Sequence, residues 1–135
     1  MARKGVFMLR NQYTVTIVDE ELLTFSVNEN VEYDKIAPAG QVIADSDNFA
    51  FVYLCDVGDN YAYIRFEQPV WHVLLQALVQ QQNPTVQIND ASIVLRHFFE
   101  ELQMLVYNIE GNGNYGDTFV SAVEQAFERI LTDAV

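Results

Sequence analysis

The sequence predicts an α+β fold: an antiparallel sheet of about six strands with three helices packed on one face, in the order ββ(β)ββ-α-ββ-α-α. Three observations carry this. The stretch Phe49 to Phe66, FAFVYLCDVGDNYAYIRF, is two runs of aromatic and β-branched residues around the turn segment Asp56 to Asn60, the signature of a long hairpin. Tyr13 to Val27 alternates apolar and polar residues, as a half-solvated antiparallel sheet requires. The second half of the chain instead carries apolar residues at helical spacing.

In the central hairpin, folding over the turn pairs Leu54, Val52 and Ala50 with Ala62, Ile64 and Phe66 on a wholly apolar face. The other face then pairs Cys55 with Tyr61, Tyr53 with Tyr63, and Phe51 with Arg65. The N-terminal hairpin, Tyr13–Val18 and Leu22–Val27, turns over Asp19-Glu20-Glu21. It sets Ile17 against Leu23, Val15 against Phe25 and Tyr13 against Val27, with Thr14, Thr16, Thr24 and Ser26 on the opposite face. Residues 28–48 are less regular, with a short strand expected at Gln41 to Ala44 and an Asx-type turn at Asp45 to Asn48. Pro69 suits the first position of a helix. That helix buries Val70, Trp71, Leu74, Leu75 and Leu78, shows His72, Gln76 and Gln80 to water, and ends before Pro84. A small third hairpin pairs Val86 and Ile88 with Leu95 and Ile93 over Asn89 to Ser92. Two further helices follow. The first carries the stripe Phe98, Leu102, Leu105, Val106, Ile109, has Glu100 and Glu101 in its first turn, and stops at Gly111 in a left-handed cap. The second is capped by Asp117 or Thr118 and carries Phe119, Val123, Ala126, Phe127 and Ile130.

A chain of 135 residues is one domain by length, and residues 1–10, with three of the seven basic residues, are expected to be a flexible basic segment. A chain of this size buries roughly two thirds of the surface its unfolded form exposes. The net charge of -12, from 19 acids and 7 bases, argues against nucleic-acid backbones and anionic membranes and favours solubility or a cationic partner. The single cysteine, Cys55, lies in an apolar strand and reads as a small buried hydrophobe. With no disulfide, no secretory signal and no apolar run of membrane-spanning length, a reducing cytoplasm is the expected compartment.

The segments PAGQVIADSDNFAFVYL (Pro38 to Leu54) and IEGNGNYGD (Ile109 to Asp117), with the order of strands and helices, resemble an uncharacterised family of small acidic proteins from low-GC Gram-positive bacteria. The likeness covers most of the chain from about Tyr13 onward. It implies a cytosolic protein and brings no established activity, so it assigns no functional residue.

Candidate chemistry is sparse. Gly111 to Gly116 spells GxGxxG, but a helix rather than a strand precedes it, so a helix–helix connection explains it better than a dinucleotide loop. Oxygen-bearing residues gather at Asp45, Asp47, Asn48 and at Asp56, Asp59, Asn60, but neither group keeps EF-hand register. His97 has Glu100 and Glu101 at ligand-compatible spacing; a capping or solvent-facing role is the simpler reading. No nucleophile elbow surrounds any serine. Cofactors are therefore expected to be none: no zinc, calcium or NAD site, and no catalytic or metal-ligating set.

Two function classes remain. One is a non-catalytic protein-interaction or regulatory module, meeting another protein or a second copy of itself. The other is a small-ligand binder or enzyme using the aromatic face of the central hairpin. A flat apolar patch would favour the first, a concave pocket with perturbed titratable groups the second. The candidate interaction surface is Phe51, Tyr53, Tyr61, Tyr63 and Arg65, with tyrosine and arginine supplying apolar bodies with polar handles. The competing reading is that residues 28–48 or the N-terminal hairpin fold over this face and make it ordinary core.

Overall fold

The computed structural model describes residues 11–27, 29, 31 and 35–133; the expectation for residues 1–10 lies outside them. Strand β1 (Gln12–Asp19) leads into β2 (Thr24–Val27), then β3 (Ala37–Asp45), β4 (Ala50–Val57) and β5 (Asn60–Glu67). Helix α1 (Trp71–Gln80) follows a 3-10 turn over Gln68–Val70, then come β6 (Thr85–Ile88), β7 (Ala91–Val94) and α2 (Phe98–Ile109). A short 3-10 turn at Gly113–Tyr115 joins it to α3 (Asp117–Ala126) and α4 (Glu128–Asp133). The fold is α+β.

The sheet is not purely antiparallel. It has seven strands in the order β3-β4-β5-β1-β2-β6-β7, and two of its pairings, β1 with β5 and β2 with β6, are parallel. Alternation along a strand reports which face each residue takes, not which strand lies beside it, so the sequence pattern is blind to this difference. β1 is the joint. Its first residues, Gln12 to Thr14, bond to β5, while Val15 to Asp19 bond to β2. The sheet curls about this strand until its edges, β3 and β7, approach each other.

Three hairpin registers differ from expectation because loop length sets register. Gly58 and Asp59 alone turn β4 into β5, so Phe51 faces Phe66, Tyr53 faces Ile64 and Cys55 faces Ala62. Gly58 takes φ +63, as the first residue of a primed two-residue turn must, which matches strand twist. In the first hairpin Val15 opposes Val27 and Ile17 opposes Phe25, with a bulge before Asp19–Thr24. In the third, Val86 opposes Ile93 and Ile88 opposes Ala91. β3 is longer than Gln41 to Ala44 because it accommodates Pro38 on a sheet edge and a bulge between Pro38 and Gln41, where Gly40 has φ +82.

The core lies between one sheet face and the helices. Phe51 packs against Trp71, Phe119 and Phe127 at ring-centroid distances of 5.1, 6.1 and 5.9 Å, and Phe98 meets Phe66 at 5.0 Å and Tyr53 at 5.7 Å. Trp71 Nε1 donates to the Phe66 carbonyl at 2.9 Å, so the largest side chain leaves no buried donor unpaired. Gly111 ends α2 with φ +67, as the C-terminal cap argument requires. The last helical stretch is broken rather than continuous: Phe127 leaves helical geometry between α3 and α4 and turns its ring into the aromatic cluster. Neither Asp117 nor Thr118 caps α3; Gly116 occupies that position and no side chain makes a cap bond.

Candidate interaction surface

The one-residue slip between β4 and β5 divides the five residues of the expected surface. Side chains alternate along a strand, so Phe51 and Tyr53 join Ala62, Ile64 and Phe66 on the helix side, and both are fully buried. Tyr61, Tyr63 and Arg65 stay together on the opposite, outer face, beside Asp56, Leu54 and Val52 respectively. Phe51 and Tyr53 belong to the core, and the five do not form one patch. A signal for this was present in the chain: a turn with an even number of residues, unlike a five-residue loop, puts Asp56, Arg65 and Glu67 on one face and leaves the other wholly uncharged.

On the outer face Arg65 is the buried centre, 6% exposed. Its Nη1 donates to Asp45 Oδ2 and to Gln12 Oε1, both at 3.0 Å, and its Nε lies 3.6 Å from Glu67 Oε2. The Asp45 carboxylate also accepts from Asn48 Nδ2 at 3.0 Å, tying the guanidinium to the β3–β4 turn. Two carboxylates and an amide thus commit this cation within the fold, as a buried charge requires. Further along β5 the face opens. Tyr61 is 46% exposed, and its ring centroid lies 6.4 Å from that of half-buried Tyr63. Asp56 and Asp59 beside it are exposed.

Tyr53 does something the sequence did not announce. Its Oη accepts the Gly40 N–H at 3.1 Å and donates to the Arg96 carbonyl at 2.8 Å, joining the β3 bulge to the link between β7 and α2. Burial pushes its hydroxyl up to about 12, against the opposing effect of the Gly40 hydrogen bond. Burial likewise pushes the Cys55 thiol up to about 12, with the Asp56 charge adding to it, so this sulfur is no ready nucleophile.

The other sequence candidates stay apart. His72 Nε2 lies 3.3 Å from Glu20, between α1 and the β1–β2 turn, and His97 Nδ1 lies 3.4 Å from Glu100. Both histidines are exposed, and His97 makes no cap bond; Asn83 Oδ1 instead accepts the Phe99 N–H at 3.1 Å. Among the described residues no three His, Cys, Asp or Glu side chains gather as a metal would need. The GxGxxG segment connects α2 to α3, held by Glu124 accepting the Gly111 N–H at 2.8 Å. A cleft of about 600 Å³ opens between the β6–β7 hairpin and residues 31 and 35–37, walled by Val31, Ile36, Ile88 and Ile93 with Lys35 and Asp90 beside them. Neither Tyr53 nor Cys55 lines it. No helix among the described residues is long and apolar enough to cross a membrane.

Residues 12–127 match the model of a family of unknown function, UPF0738. The chain belongs to this family. A UPF0738 protein of Lysinibacillus sphaericus is 47% identical over 127 residues, covering 93% of this chain and 100% of the relative. One from Staphylococcus haemolyticus is 39% identical over 114 residues, with 84% and 92% covered. UPF0738 protein YjbL of Bacillus subtilis is 35% identical over 112 residues, with 83% and 91% covered. The resemblance drawn from Pro38 to Leu54 and Ile109 to Asp117, to an uncharacterised low-GC Gram-positive family, agrees with these relatives. No solved structure matches the chain.

Proposed function

We propose that this UPF0738 member is a non-catalytic protein-interaction module that meets its partner through the outer face of β5. The observation that carries the reading is Tyr61, an aromatic ring 46% exposed and paired with Tyr63, on the sheet face opposite the helices. Interfaces favour tyrosine because a rigid apolar body ends in a polar group. Among the described residues the groups with shifted proton affinity, Tyr53 and Cys55, are sealed in the core, so they do not supply an enzyme's acid or base. A different protein suits the surface better than a second copy, because two chains of net charge -12 repel.

A photo-crosslinking amino acid placed at Tyr61, in cells that naturally carry a family member, tests this. The expected result is a discrete adduct with one protein that is absent when the same group replaces Met104, exposed on α2. Indistinguishable adduct patterns from the two positions, or none from Tyr61, would overturn the reading.

A further inference from the structure

We propose that the Tyr61 end of this face takes a lysine- or arginine-bearing segment of the partner. The proposal rests on the interaction-module reading and deepens it by naming the partner's chemistry. In a hairpin with a two-residue turn the closing pair, here Val57 and Asn60, is hydrogen bonded, and the next pair is not. Asp56 and Tyr61 are that next pair. Non-bonded pairs hold their side chains closest, so a carboxylate stands beside an exposed ring. A cation over the ring of Tyr61 would meet the quadrupole of its face and the charge of Asp56 together.

The electrostatics support the same occupant from a separate direction. Asp56 and Asp59 are both exposed, and neither forms an ion pair within the described residues. Arg65, farther along the same face, is already held by Asp45, Glu67 and Gln12. Lys35 lies two residues before Ala37, the strand partner of Asp56, yet makes no ion pair with either acid within the described residues. The charge of Asp56 is felt at Cys55, whose thiol it helps to raise. A cationic segment finds two carboxylates and a ring at this end of the face. The net charge of -12 would also steer a basic segment inward.

The test titrates the full chain, at low salt, with a short lysine–alanine repeat peptide and its glutamate–alanine counterpart, following backbone amides by NMR. The lysine peptide should perturb Asp56, Asp59 and Tyr61 first and the glutamate peptide should not bind. Tyr61→Ala, and separately Asp56→Asn with Asp59→Asn, should each weaken binding by roughly fivefold, with melting temperatures unchanged. Perturbations centred on Glu100, Glu110 and Glu128 at the helix ends, or equal affinities for wild type and both variants, would overturn the proposal. The crosslink at Tyr61 separates the two failures. An adduct that survives Asp56→Asn with Asp59→Asn keeps the interaction face and ends the cationic partner, while absence of any adduct ends both.

Discussion

Tyr53→Phe isolates one oxygen atom. The ring stays, so its contact with Phe98 at 5.7 Å is kept and no cavity forms. What goes is the hydroxyl that accepts from Gly40 and donates to Arg96, leaving one N–H and one carbonyl without a partner in a partly buried setting. Leaving a buried polar group unpaired costs about 1–3 kcal/mol, and the lower end applies where water has some access. Two such groups sum to roughly 2–3 kcal/mol. At about 3–5 °C per kcal/mol for a domain of this size, the melting temperature should fall by roughly 6–15 °C. Urea denaturation should show a lower midpoint with an unchanged slope, since the surface exposed on unfolding is the same. A midpoint that converts to a loss under about 0.5 kcal/mol would refute the latch, showing that β3 and the β7–α2 link hold together without it.

Phe127→Ala should cost about 3–5 kcal/mol, because the ring packs against both Phe51 and Trp71 at the break between α3 and α4; Leu105→Ala, half-buried on α2, should cost roughly half as much or less. Equal losses in chemical denaturation would show that the helix break places no special weight on Phe127. Stability should also fall in alkali. Cys55 and Tyr53 hold their protons more tightly folded than unfolded, rising from 9.0 and 10.0 to about 12, so their contribution is complete below about pH 9 and disappears as pH climbs towards 12. Tyr53→Phe should remove the tyrosine part of that decline, and a stability curve flat between pH 9 and 12 in the wild type would contradict both burials.

Much of the fold was legible because periodicity reports faces well. The apolar stripes of Phe98, Leu102, Val106 and Ile109, and of Phe119 and Val123, are buried as their spacing predicts, and Thr14, Thr16, Thr24 and Ser26 share one side of the sheet. Neighbours and registers were less legible. That β1 lies beside β5 depends on how the chain returns after fifty residues, and no local pattern encodes it. The candidate surface failed at one point: treating Asp56 to Asn60 as the loop, where Gly58-Asp59 sufficed, moved Phe51 and Tyr53 to the wrong partners. The Tyr53 bridge was invisible because its two partners, Gly40 and Arg96, offer backbone groups, and any residue type presents those.

The position of β1 in the middle of the sheet has a consequence for how the molecule is made. Its parallel neighbour β5 is synthesised some fifty residues later, and β2 waits for Thr85 to Gln87 of β6. On the ribosome the N-terminal hairpin therefore emerges with both long edges bare, and no local contact can cover them. Pairings so distant in sequence slow folding, and bare strand edges invite intermolecular pairing. Slowing elongation before residue 85 should thus lengthen the exposure of these edges, whereas a circular permutant that begins at β6 would present β6 before β2 and shorten it.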